Sequence, residues 1–236
     1  MALPEKDFDH DNVTLNKLNW LRAAVLGADD GIISVSSIIL GVAGATSNIG
    51  TIFTAGMAGL AAGALSMAAG EYVSVSSQRD TQRAFIAEEK DHLKIHPKEE
   101  FAELIAMYEE KGLSSATARQ VAHELTNHDV LGAHIDLEMG TSVDNLANPW
   151  QAAIASLLAF TIGGLIPLVT IVLASHRVYI AATVIAVLVA LCITGYLSAV
   201  VSNSSRLKVM TRIIVGGALA MAITYTIGRL FGGIVH

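Results

Sequence analysis

Acidic residues are absent from the last part of the chain: none of the 21 lies between Pro149 and His236. Fourteen of them fall in residues 78–148 beside seven lysines and arginines, so the net charge of −6 arises largely in one region. An acidic balance argues against nucleic acid as a partner, because phosphate binding needs an excess of cations. The single cysteine, Cys192, excludes an intrachain disulfide. The N-terminal segment lacks an apolar stretch, so no signal peptide is predicted.

Long apolar segments are what the sequence has in abundance. Hydrophobic residues make up 53% of the chain, and its mean hydropathy is +0.53, which is too apolar for an ordinary soluble domain. Because open strands cannot satisfy their backbone groups in lipid, these segments are predicted to be helices that cross a bilayer. The five predicted spans are 22–46, 51–77, 150–174, 178–201 and 208–234.

The charged region between the second and third spans is predicted to be a soluble helical insert. No proline or glycine interrupts the sequence from Glu71 to His96, so the second span should continue into water until Pro97 ends it. A second helix is predicted from Pro97 to Lys111, a third begins after Ser114 or Ser115, and a further helical piece ends at Gly140. The predicted fold is therefore all-α, a polytopic membrane protein with five transmembrane helices and a three-helix soluble insert.

Lysines and arginines in the short turns predict the orientation. The turn between the fourth and fifth spans carries three of them, whereas the first turn carries none and the turn between the third and fourth spans carries only Arg177. Because such residues stay in the cytoplasm, the N-terminus and the insert are predicted to be cytoplasmic and the C-terminus to lie outside. The predicted divisions are an N-terminal segment (1–21), two spans (22–77), an acidic metal-binding insert (78–148) and three spans (149–236).

Two predicted spans carry polar side chains at helical spacing. At i, i+4 and i+7, these are Asp30, Ser34 and Ser37 in the first span and Met67, Glu71 and Ser74 in the second. A carboxylate within a bilayer is costly, so a functional role for Asp30 is the default interpretation. Oxygen ligands suit hard divalent cations, and a thioether adds a preference for later transition metals. The two stripes predict a metal corridor, although an interfacial cap at Asp29, plain packing of Met67 and solvation of Glu71 stay open as alternatives.

Carboxylates and imidazoles recur in pairs along the insert. The pairs are Glu89 with His92, Glu100 with Glu103, and His134 with Glu138, spaced i, i+3 or i, i+4. Each pair falls on one face of its helix, and helices packed side by side can bring such faces together into a metal site. The competing interpretation is a solvated acidic face, which is the usual fate of charged residues on a soluble helix.

Three stretches of this sequence are distinctive: LRAAVLGADDGIISVSSIILGVAGA, AGLAAGALSMAAGEYVSVSSQRD and ELIAMYEEKGLSSATARQVAHEL. They resemble the vacuolar iron transporter family. The resemblance implies five transmembrane helices, a cytoplasmic three-helix metal-binding domain, a homodimer, and proton-coupled export of Fe²⁺ and often Mn²⁺. By motif, it implies that Asp30 and Met67 line the pathway and that Glu89, His92, Glu100, Glu103 and Glu138 bind metal.

The sequence departs in two ways from the pattern that this resemblance implies. His92 stands where a glutamate is expected, and His134 with Ile135 replaces a methionine pair. Imidazole still binds Fe²⁺, Mn²⁺ and Zn²⁺, so binding should survive with a shift toward Zn²⁺. A histidine ligand should also make metal affinity fall more steeply in acid.

The sequence therefore predicts an antiporter that exchanges protons for Fe²⁺, or for Mn²⁺, Zn²⁺ or Co²⁺, without enzymatic catalysis or an organic cofactor. Its expected setting is a lipid bilayer, as a homodimer in a bacterial inner membrane, or in a vacuolar membrane if the source is eukaryotic. Gly59 and Gly63 form a small-residue pattern that fits either dimerisation or packing within one subunit. Two alternatives remain, a membrane-anchored ferroxidase that uses Glu89 and His92, and a metal sensor whose spans only anchor the insert.

Overall fold

Seven helices make up the secondary structure of the computed structural model, which describes residues 9–140, 142–143 and 146–232. No strand occurs among these residues. The helices are α1 (Asp9–Ala45), α2 (Ile49–Ile95), α3 (Pro97–Glu110), α4 (Ser115–Met139), α5 (Pro149–Leu173), α6 (Tyr179–Val201) and α7 (Arg206–Gly232). The all-α prediction is confirmed.

Five of these helices are long and apolar enough to cross a membrane: α1 from Trp20, α2, α5, α6 and α7. The count agrees with the five predicted spans. Helix α2 has 47 residues, more than twice the roughly 20 that a bilayer requires. Its polar second part, from Ser74, belongs to a different compact unit from its apolar first part.

The span-length helices form one unit, built from Leu18–Val73 and the described residues from Pro149 onward. Helix α1 approaches α5 and α7 closely at glycines. A Cβ atom at Gly31 would overlap the backbone oxygen of Phe160 on α5, and a Cβ atom at Gly228 of α7 would overlap the backbone oxygen of Gly41 on α1. Small residues are what allow membrane helices to approach at backbone distance. Around these crossings, the apolar core consists of two clusters of buried side chains centred on residues such as Phe160 and Leu191.

The second unit comprises Ser74–Asn148 with the described residues up to Lys17. Local signals set its helix ends: Pro97 opens α3, the Ser114 hydroxyl accepts a hydrogen bond from the Thr117 N–H at the start of α4, and Gly140 ends α4 with a left-handed φ of 61°. Helix α4 is kinked at Asp129, whose φ of −157° and ψ of 89° are not helical. The Asp129 carboxylate accepts a hydrogen bond of 2.9 Å from the Gly132 N–H and so caps the second part of α4. The two helical pieces that the sequence predicts here thus form one kinked helix.

Candidate metal site

Three helices of the Ser74–Asn148 unit bring three potential metal ligands together. Glu89 lies on α2, Glu100 on α3 and His134 on α4, and one ligand atom from each lies within 4.8 Å of the other two. The three residues are only 5%, 7% and 0% exposed, respectively. Buried carboxylates and imidazoles need hydrogen bonds, a partner of opposite charge or a bound metal. The cluster is therefore the first candidate for a metal site in the described part of the chain.

His134 lies at the centre of this cluster. Its Nδ1 atom is 3.0 Å from Glu89 Oε1, 3.5 Å from Glu138 Oε1 and 3.8 Å from Glu100 Oε2. These distances allow attraction, yet neither imidazole nitrogen has a hydrogen-bond partner, nor does Glu89 Oε1. Leaving a buried polar atom unpaired costs about 1–3 kcal/mol. A divalent cation bound to His134 Nδ1 and Glu89 Oε1 would satisfy these two atoms together.

The electrostatics of the cluster favour a bound cation. Burial raises the pKa of the Glu89 carboxyl, and the nearby Glu138 carboxylate raises it further, while His134 acts in the opposite direction. Carboxylates that share a dry site repel one another when they are charged. A proton on Glu89 or a divalent metal ion relieves that repulsion, so the two compete for the same place.

Two further predicted ligands, His92 and Glu138, lie at the more accessible edge of the cluster. The His92 side chain is 49% exposed, with its Nδ1 atom 3.7 Å from Glu100 Oε1. The Glu138 side chain is 20% exposed and shares a helix face with His134, which lies four residues earlier. The cluster therefore combines a buried interior with an edge that ions can reach from water.

Glu103 is the predicted ligand that the structure leaves outside this group. It is exposed on α3, whereas Glu100, three residues earlier, is buried. Leu104 is fully buried and fixes the rotation of α3 about its axis. With Leu104 pointing inward, Glu100 faces the cluster and Glu103 faces solvent.

The predicted pathway residues lie in the other unit. Asp30 is exposed on α1, and its Oδ1 atom accepts a hydrogen bond of 2.6 Å from the Ser34 hydroxyl, as the i, i+4 spacing allows. On α2, Met67 is half-buried and packs against an apolar cluster that includes Phe160. Glu71, one turn further along α2, is half-buried.

Two further polar residues of α1, Asp29 and Ser37, are buried in part or in full. Asp29 interacts with the Thr194 side chain of α6, and its Oδ1 atom is buried without a hydrogen-bond partner. The Ser37 hydroxyl is also buried and unpartnered. The sequence shows Ser37 in the polar stripe of α1, but nothing in the sequence distinguishes it from Ser34 or predicts its burial.

Comparison with known proteins identifies the family. A sequence model of the VIT family matches residues 21–229. The chain is 39% identical over 228 residues to a protein of Acanthamoeba castellanii named "Vacuolar iron transporter", covering 96% of this chain and 84% of the relative. It is 36% identical over 233 residues to "Vacuolar iron transporter homolog 3" of Arabidopsis thaliana, covering 98% and 91%. With these matches and five helices of membrane-spanning length, the chain belongs to the VIT family of membrane transporters.

Proposed function

We propose that this protein carries divalent transition-metal ions, Fe²⁺ first among them, out of the cytosol and across a membrane. The observation that supports this most directly is the buried group of Glu89, Glu100 and His134, whose ligand atoms converge within 4.8 Å in a member of a transporter family. The names of the relatives point to iron as the cargo.

The ligand set favours transition metals over Mg²⁺ and Ca²⁺. Those two ions prefer oxygen ligands alone, whereas imidazole suits Fe²⁺, Mn²⁺, Co²⁺ and Zn²⁺. Two predicted ligands, His92 and His134, are histidines, so we propose a shift in preference toward Zn²⁺ within this set. Glu138 completes the site, with Glu103 on the outside as an acidic residue that attracts cations.

Transport requires polar groups inside the membrane as well as a capture site. We propose that the ion passes from the capture site to Glu71, Met67, Asp30 and Ser34. A carboxylate that binds either a metal ion or a proton couples the two, so protons moving in the opposite direction would release the metal.

A second copy of the chain fits the position of Asp30. Its carboxylate is exposed in a helix segment that is long and apolar enough to cross a membrane, and a charged group facing hydrocarbon costs several kcal/mol. In a homodimer, a partner helix would cover this face and close the pathway. Gly59 and Gly63 of α2 serve packing within the subunit instead, because Cβ atoms there would overlap the side chains of Ile38 and Phe160.

The division of the chain follows from this scheme. We propose that residues 78–148 form a soluble three-helix domain in the cytoplasm and that residues 22–77 and 149–236 lie in the bilayer. The positive residues Arg206, Lys208 and Arg212 at the start of α7 support this orientation. A bacterial cell membrane is the proposed location, or a vacuolar membrane if the source is eukaryotic.

Metal uptake into proteoliposomes tests the function. Fe²⁺ under anaerobic conditions, Mn²⁺, Zn²⁺ and Co²⁺ are compared with and without a pH gradient, and Asp30→Ala is the transport-deficient control. We expect uptake that depends on the gradient and disappears in Asp30→Ala, with metal binding by the insert unchanged. A ferroxidase would move no metal in this anaerobic assay and would consume oxygen when Fe²⁺ is added in air. Normal transport by Asp30→Ala would contradict the pathway.

A further inference from the structure

A serine buried on α1 has no role in the function proposed above. Ser37 is 9% exposed, and its hydroxyl oxygen has no hydrogen-bond partner. Hydroxyls within membrane helices usually donate to a carbonyl of the preceding turn. Several hydroxyls of the span-length helices do so, among them Ser36, Thr161, Thr170 and Thr183. Ser37 departs from this pattern, because its hydroxyl makes no hydrogen bond as donor or acceptor.

Ser37 continues the polar stripe of α1 beyond Asp30. Asp30 is exposed, Ser34 is half-buried and Ser37 is buried, so burial increases along the stripe. Seven residues of helix separate Asp30 from Ser37, a rise of about 10 Å toward the Ala45 end of α1. In the proposed orientation, this direction leads away from the cytosol.

Two other helices flank α1 at the level of Ser37. A Cβ atom at Gly59 of α2 would meet the side chain of Ile38, and one at Gly41 would contact Thr224 of α7. The Thr224 hydroxyl donates to carbonyls of its own helix, those of Ala220 and Met221. The Ser37 hydroxyl therefore lacks a hydrogen-bond partner in a stretch of α1 that neighbouring helices cover.

We propose that Ser37 supplies the oxygen ligand that a transported metal ion meets after Asp30 and Ser34, and that this conformation covers it. The proposal rests on the function proposed above. A hydroxyl oxygen can bind a hard divalent ion, but it carries no charge and holds the ion less strongly than a carboxylate. Ions cross a membrane efficiently only when each site binds weakly enough to let them leave. When a neutral ligand follows a charged one, the ion is bound less strongly as it moves along α1, and this favours its release.

The test compares two buried hydroxyls. Ser156 of α5 is fully buried and its hydroxyl is also unpartnered, but it lies beside the backbone at Gly27, outside the stripe. Initial rates of Mn²⁺ uptake are measured in proteoliposomes for the full-length wild type, Ser37→Ala and Ser156→Ala. We expect Ser37→Ala to lower the rate about tenfold and Ser156→Ala to leave it within about twofold of wild type, since replacing an unpartnered hydroxyl removes no hydrogen bond.

Ser37→Cys provides a readout that a purely structural role would not change. A thiol is similar in size and favours soft metals, so the ratio of Cd²⁺ to Mn²⁺ uptake should rise above that of wild type. If Ser37→Ala fails to fold, this uptake ratio alone tests whether Ser37 contacts the transported ion. Equal rates for the two alanine variants, or an unchanged ratio in Ser37→Cys, would overturn the role of Ser37 and leave the proposed function intact. Absence of uptake by the wild type would instead overturn the proposed function.

Discussion

Replacing His134 tests whether the buried cluster is the metal-capture site. The imidazole is fully buried, and its Nδ1 atom lies 3.0–3.8 Å from three carboxylates. His134→Ala would remove the one nitrogen ligand of the buried group and leave Glu89 and Glu100 facing each other. Metal binding should weaken sharply, while the helices themselves should persist.

The size of the effect can be bounded. Groups that only orient a metal ligand change affinity about 10–100-fold when they are mutated, so a direct ligand should cost at least about 100-fold. A 100-fold loss corresponds to about 2.8 kcal/mol. Water filling the space left by the imidazole should keep the loss from becoming much larger, because it can serve as a replacement ligand.

The assay is calorimetric titration of Zn²⁺ and Mn²⁺ into the full-length protein in detergent. His123→Ala is the matched control, because His123 lies on the same helix but is exposed and contacts Asn127. We expect the Zn²⁺ affinity to fall more than the Mn²⁺ affinity in His134→Ala, since imidazole favours Zn²⁺. If both variants bind metal as the wild type does, the cluster is not the capture site.

Three further predictions concern the rotation of α3, the protonation of Glu89 and the contact between α1 and α2. Glu100→Gln should weaken metal binding about tenfold or more, and the exposed Glu103→Gln less than about twofold; calorimetry would contradict this geometry if the two losses were equal. Because the pKa of Glu89 is raised above its ordinary 4.5, the metal-free protein should lose stability as pH rises through the raised value, and Glu89→Gln should remove that dependence in thermal melts. In a Cys192→Ala background, a disulfide between Ile38→Cys and Gly59→Cys should stop proteoliposome transport and reduction should restore it; undiminished transport by the oxidised form would exclude movement at this contact.

Local signals made the helices of this protein predictable. Pro97, Ser114 and Gly140 start or end helices by their own backbone chemistry, and the i, i+4 spacing of His134 and Glu138 places both on one face wherever the helix packs. Long apolar runs likewise reveal the span-length helices before any packing is known.

The membership of the metal cluster and the burial of the polar stripe depended on packing between helices. Glu100 and Glu103 look equivalent in sequence, and only the burial of Leu104 turns one inward and the other outward. Ser34 and Ser37 look equivalent too, until neighbouring helices cover one of them. Rotation about a helix axis is set by contacts between residues far apart in sequence, which a pattern along one helix does not record.

The glycine contacts of α1 are of two kinds: rigid contacts with α5 and α7, and a more adaptable contact with α2. At Gly31 and Gly41, main chain meets main chain of α5 and α7, and such contacts offer no soft groups to deform. Toward α2, the side chain of Ile38 rests in the notch at Gly59, and its rotamers can adapt. We therefore expect α1, α5 and α7 to behave as a frame, and α2 to rock against that frame and open the route alternately to each side of the membrane.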